Sequence, residues 1–114
     1  MIETEQRGGV LITRVTVRRL DAVITPAFKA RMVDLIQGGA ERIVLDLADV
    51  SFMDSSGLGS VVGCLKLIGT RGDLVLAGIQ SPVQRLLQTT RLDRVFKTFP
   101  DTDAAVAALT PGGE

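Results

Sequence analysis

Apolar and polar positions along the chain switch between two periods, and the switches mark out a string of short elements. Met1 to Gln6 is a weakly patterned edge strand, and Gly8-Gly9 reads as a hairpin turn, because glycine reaches the positive backbone angles a tight turn needs. Val10 to Val17 alternates with period two: Leu11, Thr13, Val15 and Val17 share one face, and Arg14 and Thr16 fall on the other. Behind Thr25-Pro26 the period becomes helical. Phe28, Met32, Leu35 and Ile36 recur at i, i+4, i+7 and i+8, which predicts a helix with a threonine cap, proline at the first helical position, and a stop at Gln37-Gly38-Gly39. Ile43 to Leu47 is a short run of strand length dominated by Ile, Val and Leu. Leu58, Val61, Val62 and Leu65 then form one face of a second helix that begins near Ser55.

The second half repeats the alternation. A loop at Gly69-Thr70-Arg71-Gly72-Asp73 leads into an apolar strand, Leu74 to Ala77. Ser81-Pro82 restarts a helix with a cap and a first-position proline, its inward face Val83, Leu86 and Leu87, ending near Thr89 or Thr90. Arg94 to Phe99 reads as a last strand stopped by Pro100, and Asp101-Thr102-Asp103 offers caps for a terminal helix with Val106 and Leu109 inward. The order is ββαβαβαβα. It predicts an α/β fold: a mixed, mostly parallel β-sheet with about four helices, right-handed crossovers, and an antiparallel hairpin at one edge. One domain spans residues 1–110, with a flexible C-terminal tail at 111–114.

Composition narrows the chemistry. With 4% aromatic against 46% hydrophobic residues, the core must be aliphatic. The 13 basic and 13 acidic residues cancel, which removes the charge footprint of a nucleic-acid binder. Arg14, Arg18 and Arg19 then form either an anion site or a solvated edge. No signal-peptide pattern opens the chain and no apolar run reaches bilayer length, so no membrane insertion is expected. A single cysteine, Cys64, cannot make an internal disulfide; it reads as a small core residue of a cytoplasmic protein. The chain has no histidine, which excludes a Ser-His-Asp triad and a histidine-held metal. There is no phosphate-loop motif either, and no cofactor or metal is expected.

Chemistry concentrates in Asp54-Ser55-Ser56-Gly57-Leu58-Gly59, between the central strand and its helix. Ser55 there is a helix cap contributing about 1 kcal/mol, or a hydroxyl able to carry a phosphate in the positive end of the helix dipole. Asp54 is a turn former whose carboxylate would repel an adjacent phosphate, and Ser56 is a competing acceptor. Gly57 and Gly59 each cost about 1 kcal/mol in a helix, so close packing on the sheet or close approach by a partner is expected to offset them. A Gly-x-Ser-x-Gly elbow and a histidine base are both missing, which argues against a serine enzyme. Asp21 reads as a cap or turn residue.

Phe52-Met53-Asp54-Ser55-Ser56-Gly57-Leu58-Gly59 resembles the phosphorylation-site motif of anti-sigma-factor antagonists of the STAS domain family. Leu20-Asp21 before Thr25-Pro26, and Ser81-Pro82-Val83 with Leu86-Leu87, resemble further landmarks of that family; Arg18 stands where the family often has glycine. The resemblance implies a single STAS-like domain that is not an enzyme, with Ser55 as the phosphorylated hydroxyl. Family register alone prefers Ser55 to Ser56. It also implies a partner surface of Asp21, Asp54, Ser55, Ser56, Gly57, Leu58 and Gly59. The unphosphorylated form would bind an anti-sigma factor that is also a serine protein kinase and so release the sigma factor. ATP would belong to the kinase, and a serine phosphatase would reset the switch. The alternative within the family is a partner-switching or scaffold subunit in stress sensing, secretion control or a lipid-transport complex.

Overall fold

A computed structural model describes residues 1–110; the tail expected at 111–114 lies outside the described residues. In chain order the elements are β1 (Ile2–Arg7), β2 (Val10–Val15), β3 (Arg19–Leu20), α1 (Thr25–Gln37), β4 (Arg42–Asp46), β5 (Phe52–Met53), α2 (Ser55–Ile68), β6 (Asp73–Ala77), α3 (Ser81–Thr89), β7 (Thr98–Phe99) and α4 (Thr102–Leu109). Single 3₁₀ turns stand at Gly69–Arg71 and Leu92–Arg94.

The main sheet runs β1-β2-β4-β6-β7. β1 pairs antiparallel with β2 through Gly8 and Gly9, whose φ angles of 59° and 83° carry the predicted hairpin turn. The remaining pairs are parallel, so a helix bridges each successive step across the sheet. Side chains from α1 (Phe28, Met32, Ile36), α2 (Leu58, Val61, Cys64, Ile68) and α3 (Val83, Leu87) all join Ile43, Leu45, Leu74 and Leu76 in one cluster. Those three helices therefore cover one face. On the other face α4 buries Val10, Ile12, Val44, Val75 and Ala77 beneath Ala105 and Val106. The central strands are thus buried on both faces, which is why Ile43 to Leu45 in β4 and Leu74 to Ala77 in β6 read as unbroken apolar runs.

Several local expectations change. In β2, Val10 and Ile12 are buried under α4, and only Arg14 on that face is exposed. The expected strand from Arg94 to Phe99 shortens to β7. Arg91 ends α3 in the left-handed region at φ 62°, and the chain makes a 3₁₀ turn before rejoining the sheet edge. Phe96 then turns into the core while Val95 stays half exposed. In α2 the deepest residues are Gly57, Leu58, Ser60, Val61, Cys64 and Ile68; Val62 and Leu65 are only partly buried.

The predicted threonine and serine caps also shift by one residue. Thr25 lies inside α1, with Ile24 at the cap position, and its Oγ1 is buried without a hydrogen-bond partner. Ser81 is the first residue of α3, preceded by Gln80, whose Nε2 donates to the Ala48 carbonyl at 2.7 Å. α4 is capped by Asp101, whose Oδ1 accepts from Ala104 N–H at 2.8 Å. In each proline-led helix the proline sits within the first two helical positions, where its missing N–H leaves no donor unmatched.

Candidate functional site

The end of the molecule that carries the Asp-Ser-Ser-Gly motif is built by a pairing that periodicity does not announce. β3 and β5 form a two-stranded parallel sheet, Arg19 opposite Phe52 and Leu20 opposite Met53. Ser51 and Phe52 N–H both donate to the Arg18 carbonyl, and Asp54 N–H donates to that of Leu20. This brings the loop before α1 against the start of α2.

Asp54 is the true cap of α2. Its Oδ1 accepts from Gly57 N–H at 3.0 Å, and its Oδ2 accepts from Ala22 N–H at 3.1 Å. One carboxylate therefore closes the helix start and ties the two loops together. Ser55, expected as a possible cap, is instead the first helical residue. The reason is reach: the side chain of the residue before the helix meets the N–H of its third residue, and Asp54 occupies that place. Ser55 and Ser56 are both exposed, and neither hydroxyl has a hydrogen-bond partner among the described residues. Their own N–H groups belong to the first turn, where no intrahelical acceptor exists and the dipole is positive.

The glycines divide sharply. A Cβ on Gly57 would overlap the Leu20 carbonyl oxygen and crowd the Met53 and Leu20 side chains, so close packing of α2 on β3 requires glycine. At Gly59 a Cβ would meet nothing within 4 Å, so the expected packing reason is absent there. Gly57 and Leu58 are buried, whereas Ser55, Ser56 and Gly59 face outward.

Asp21 organises the neighbouring loop. Its Oδ1 accepts from Val23 N–H at 3.1 Å and Ile24 N–H at 3.3 Å, the turn role read from sequence. Its Oδ2 takes a bond from Arg19 Nε at 3.4 Å, and the Arg19 guanidinium lies 4.1 Å from the Phe52 ring centroid. Arg14 pairs elsewhere, with the buried Asp46 carboxylate at 3.2 Å. The three arginines do not gather into one anion site.

Two exposed apolar side chains here escaped the sequence reading: Val23, 84% exposed on the Asp21 loop, and Phe52, 37% exposed on β5. The only available signal was negative, since neither belongs to an apolar stripe. Cys64 is buried on the inner face of α2; burial pushes its thiol up to about 11, with the Lys29 charge pulling the other way. Among the described residues no group of three acidic, cysteine or histidine side chains is placed to hold a metal, and no helix is long and apolar enough to cross a membrane.

The STAS domain family matches residues 1–105. The anti-sigma F factor antagonist of Paenibacillus polymyxa is 40% identical over 111 residues, covering 96% of this chain and 92% of that protein. The anti-sigma-B factor antagonist of Staphylococcus epidermidis is 35% identical over 85 residues, covering 74% of this chain and 79% of its own length. A Thermotoga maritima crystal structure, described as that of a candidate anti-sigma factor antagonist, superposes with a TM-score of 0.86 at 28% identity, covering 95% of this chain and 93% of that one. The mixed, mostly parallel sheet with four helices is the arrangement these relatives imply, and the family match runs from β1 into α4. The chain belongs to the STAS domain family.

Proposed function

We propose that the protein is an anti-sigma factor antagonist switched by phosphorylation of Ser55. In the unphosphorylated state it binds an anti-sigma factor that is also a serine protein kinase, and the sigma factor is released. The kinase brings ATP and transfers its terminal phosphoryl group to the Ser55 hydroxyl, and a serine phosphatase removes it. The relatives named as anti-sigma factor antagonists support the partner class.

One observation carries the reading of this turn as a phosphate acceptor: the Ser55 hydroxyl is exposed and unengaged because Asp54 performs the capping. A phosphate there adds about two negative charges and strong acceptor oxygens beside unpaired N–H groups. Its addition therefore leaves the cap of α2 in place and changes the surface a partner meets. Asp54, one residue away, adds to the negative charge and favours release of a partner matched to the neutral serine. Ser56 is also exposed, and only the resemblance to the family motif favours Ser55 over it.

The test uses purified protein with its cognate kinase and ATP, followed by mapping of the phosphate by mass spectrometry. Label is expected at Ser55, with none in Ser55→Ala, and Ser55→Asp is expected to bind the kinase much more weakly than wild type. Label confined to Ser56, or undiminished kinase binding by Ser55→Asp, would refute the assignment.

A further inference from the structure

Val23 is the most exposed large apolar side chain among the described residues, at 84%, yet its backbone is not loose. The Asp21 carboxylate accepts from the N–H groups of Val23 and Ile24, and the Asp54 carboxylate accepts from the N–H of Ala22. Three consecutive amides are thus pinned by two carboxylates. The second of these also caps the helix that starts at Ser55. The main chain of α1 follows immediately, with Ile24 and Thr25 N–H groups donating to the Asp21 carbonyl.

Rigid display of an apolar group is costly for solubility and contributes nothing to this core. It does lower the conformational cost of binding, because the loop is ordered before a partner arrives. An isolated exposed valine on a free loop needs no explanation, but here the amides of Ala22, Val23 and Ile24 each donate a hydrogen bond to a carboxylate, beside a site proposed for docking. Phe52 extends the same end of the molecule. It lies one strand away on β5, opposite Arg19, which is two residues before Asp21.

Resting on the proposed function, we infer that Val23 is the apolar anchor of the interface with the anti-sigma factor. The partner surface it fits is an apolar recess of about valine size, set beside the place where the kinase must reach the Ser55 hydroxyl. Val23 then fixes the position of that partner over α2, and Ser55 reports the phosphorylation state. Affinity and switching are carried by different residues on one surface.

The experiment measures the dissociation constant of the unphosphorylated full chain for its anti-sigma factor, by calorimetry, for wild type, Val23→Ser, the isosteric Val23→Thr, Val23→Ile and the remote control Val95→Ser. Val95 is half exposed and directly follows the 3₁₀ turn after α3. Val23→Ser and Val23→Thr are expected to weaken binding by roughly tenfold or more. Val23→Ile should retain binding, and Val95→Ser should match wild type. All four should keep the wild-type thermal midpoint within the range of ordinary surface substitutions. Wild-type affinity in both Val23→Ser and Val23→Thr overturns the inference while leaving the proposed function standing. No binding by wild type overturns both.

Discussion

Asp54 offers the sharpest test of how this site is assembled, because its two oxygens hold different parts of the chain. Oδ1 caps α2 through Gly57 N–H at 3.0 Å, and Oδ2 holds the loop before α1 through Ala22 N–H at 3.1 Å. Asp54→Ala removes both. Loss of the cap costs about 1 kcal/mol, and loss of the second bond, at a partly exposed carboxylate, costs about 1 kcal/mol more. Asp54→Asn separates the two. Asparagine caps as well as aspartate, so its carbonyl keeps Gly57, but its amide NH2 then faces the Ala22 N–H, donor against donor. The expected losses are about 2 kcal/mol for alanine and about 1 kcal/mol for asparagine, or roughly 8 °C and 4 °C in thermal midpoint for a domain of this size. Urea unfolding with an unchanged m-value measures the losses, and amide hydrogen exchange locates them. Ala22 should exchange faster in both variants, Gly57 only in Asp54→Ala. Equal destabilisation by the two variants, or faster Gly57 exchange in Asp54→Asn, would refute the division of labour between the two oxygens.

Three further outcomes follow from the same geometry. Gly57→Ala should destabilise by about 2 kcal/mol or more, because the methyl group meets the Leu20 backbone carbonyl, whereas Gly59→Ala should stabilise by about 0.5–1 kcal/mol through helix propensity alone; paired urea titrations would show the opposite signs. Arg91→Gly should raise stability by about 1 kcal/mol by relieving a left-handed backbone at φ 62°, read as a higher denaturation midpoint. Cys64 sets an alkaline limit. Its folded thiol titrates at about 11 against an ordinary 9.0, so the unfolded chain loses its proton first. The contribution of the neutral buried thiol is complete below pH 9 and falls as pH rises towards about 11, by up to about 1.4 kcal/mol per pH unit. The stability–pH curve of Cys64→Ala should be flatter than that of wild type across that window; parallel curves would exclude this cause.

Local pattern alone determined much of this protein. The alternation of strand and helix periods set the number and order of the main strands and helices, because each element must bury one face of its own residues. The glycine pair at Gly8 and Gly9 placed the hairpin, and Phe52 to Gly59 marked the place where the chain resembles a phosphorylation site. Tertiary structure decided what that place is made of. Thr25, Ser55 and Ser81 each looked like caps because serine and threonine commonly cap, but capping depends on the position at which the chain enters the helix. At α2 the pairing of β3 with β5 settles that entry, joining Arg19 to Phe52 and Leu20 to Met53 across a long stretch of sequence. The same pairing brings Ala22 to Asp54 and makes glycine necessary at position 57, while nothing presses on position 59. Val23 could not be recognised from its neighbours, since an apolar residue in a short loop is equally able to turn inward. Three backbone hydrogen bonds to carboxylates, one of them from a distant turn, hold it outward. Periodicity records which side chains prefer burial; only the closed fold shows which hydroxyl and which valine are left facing solvent.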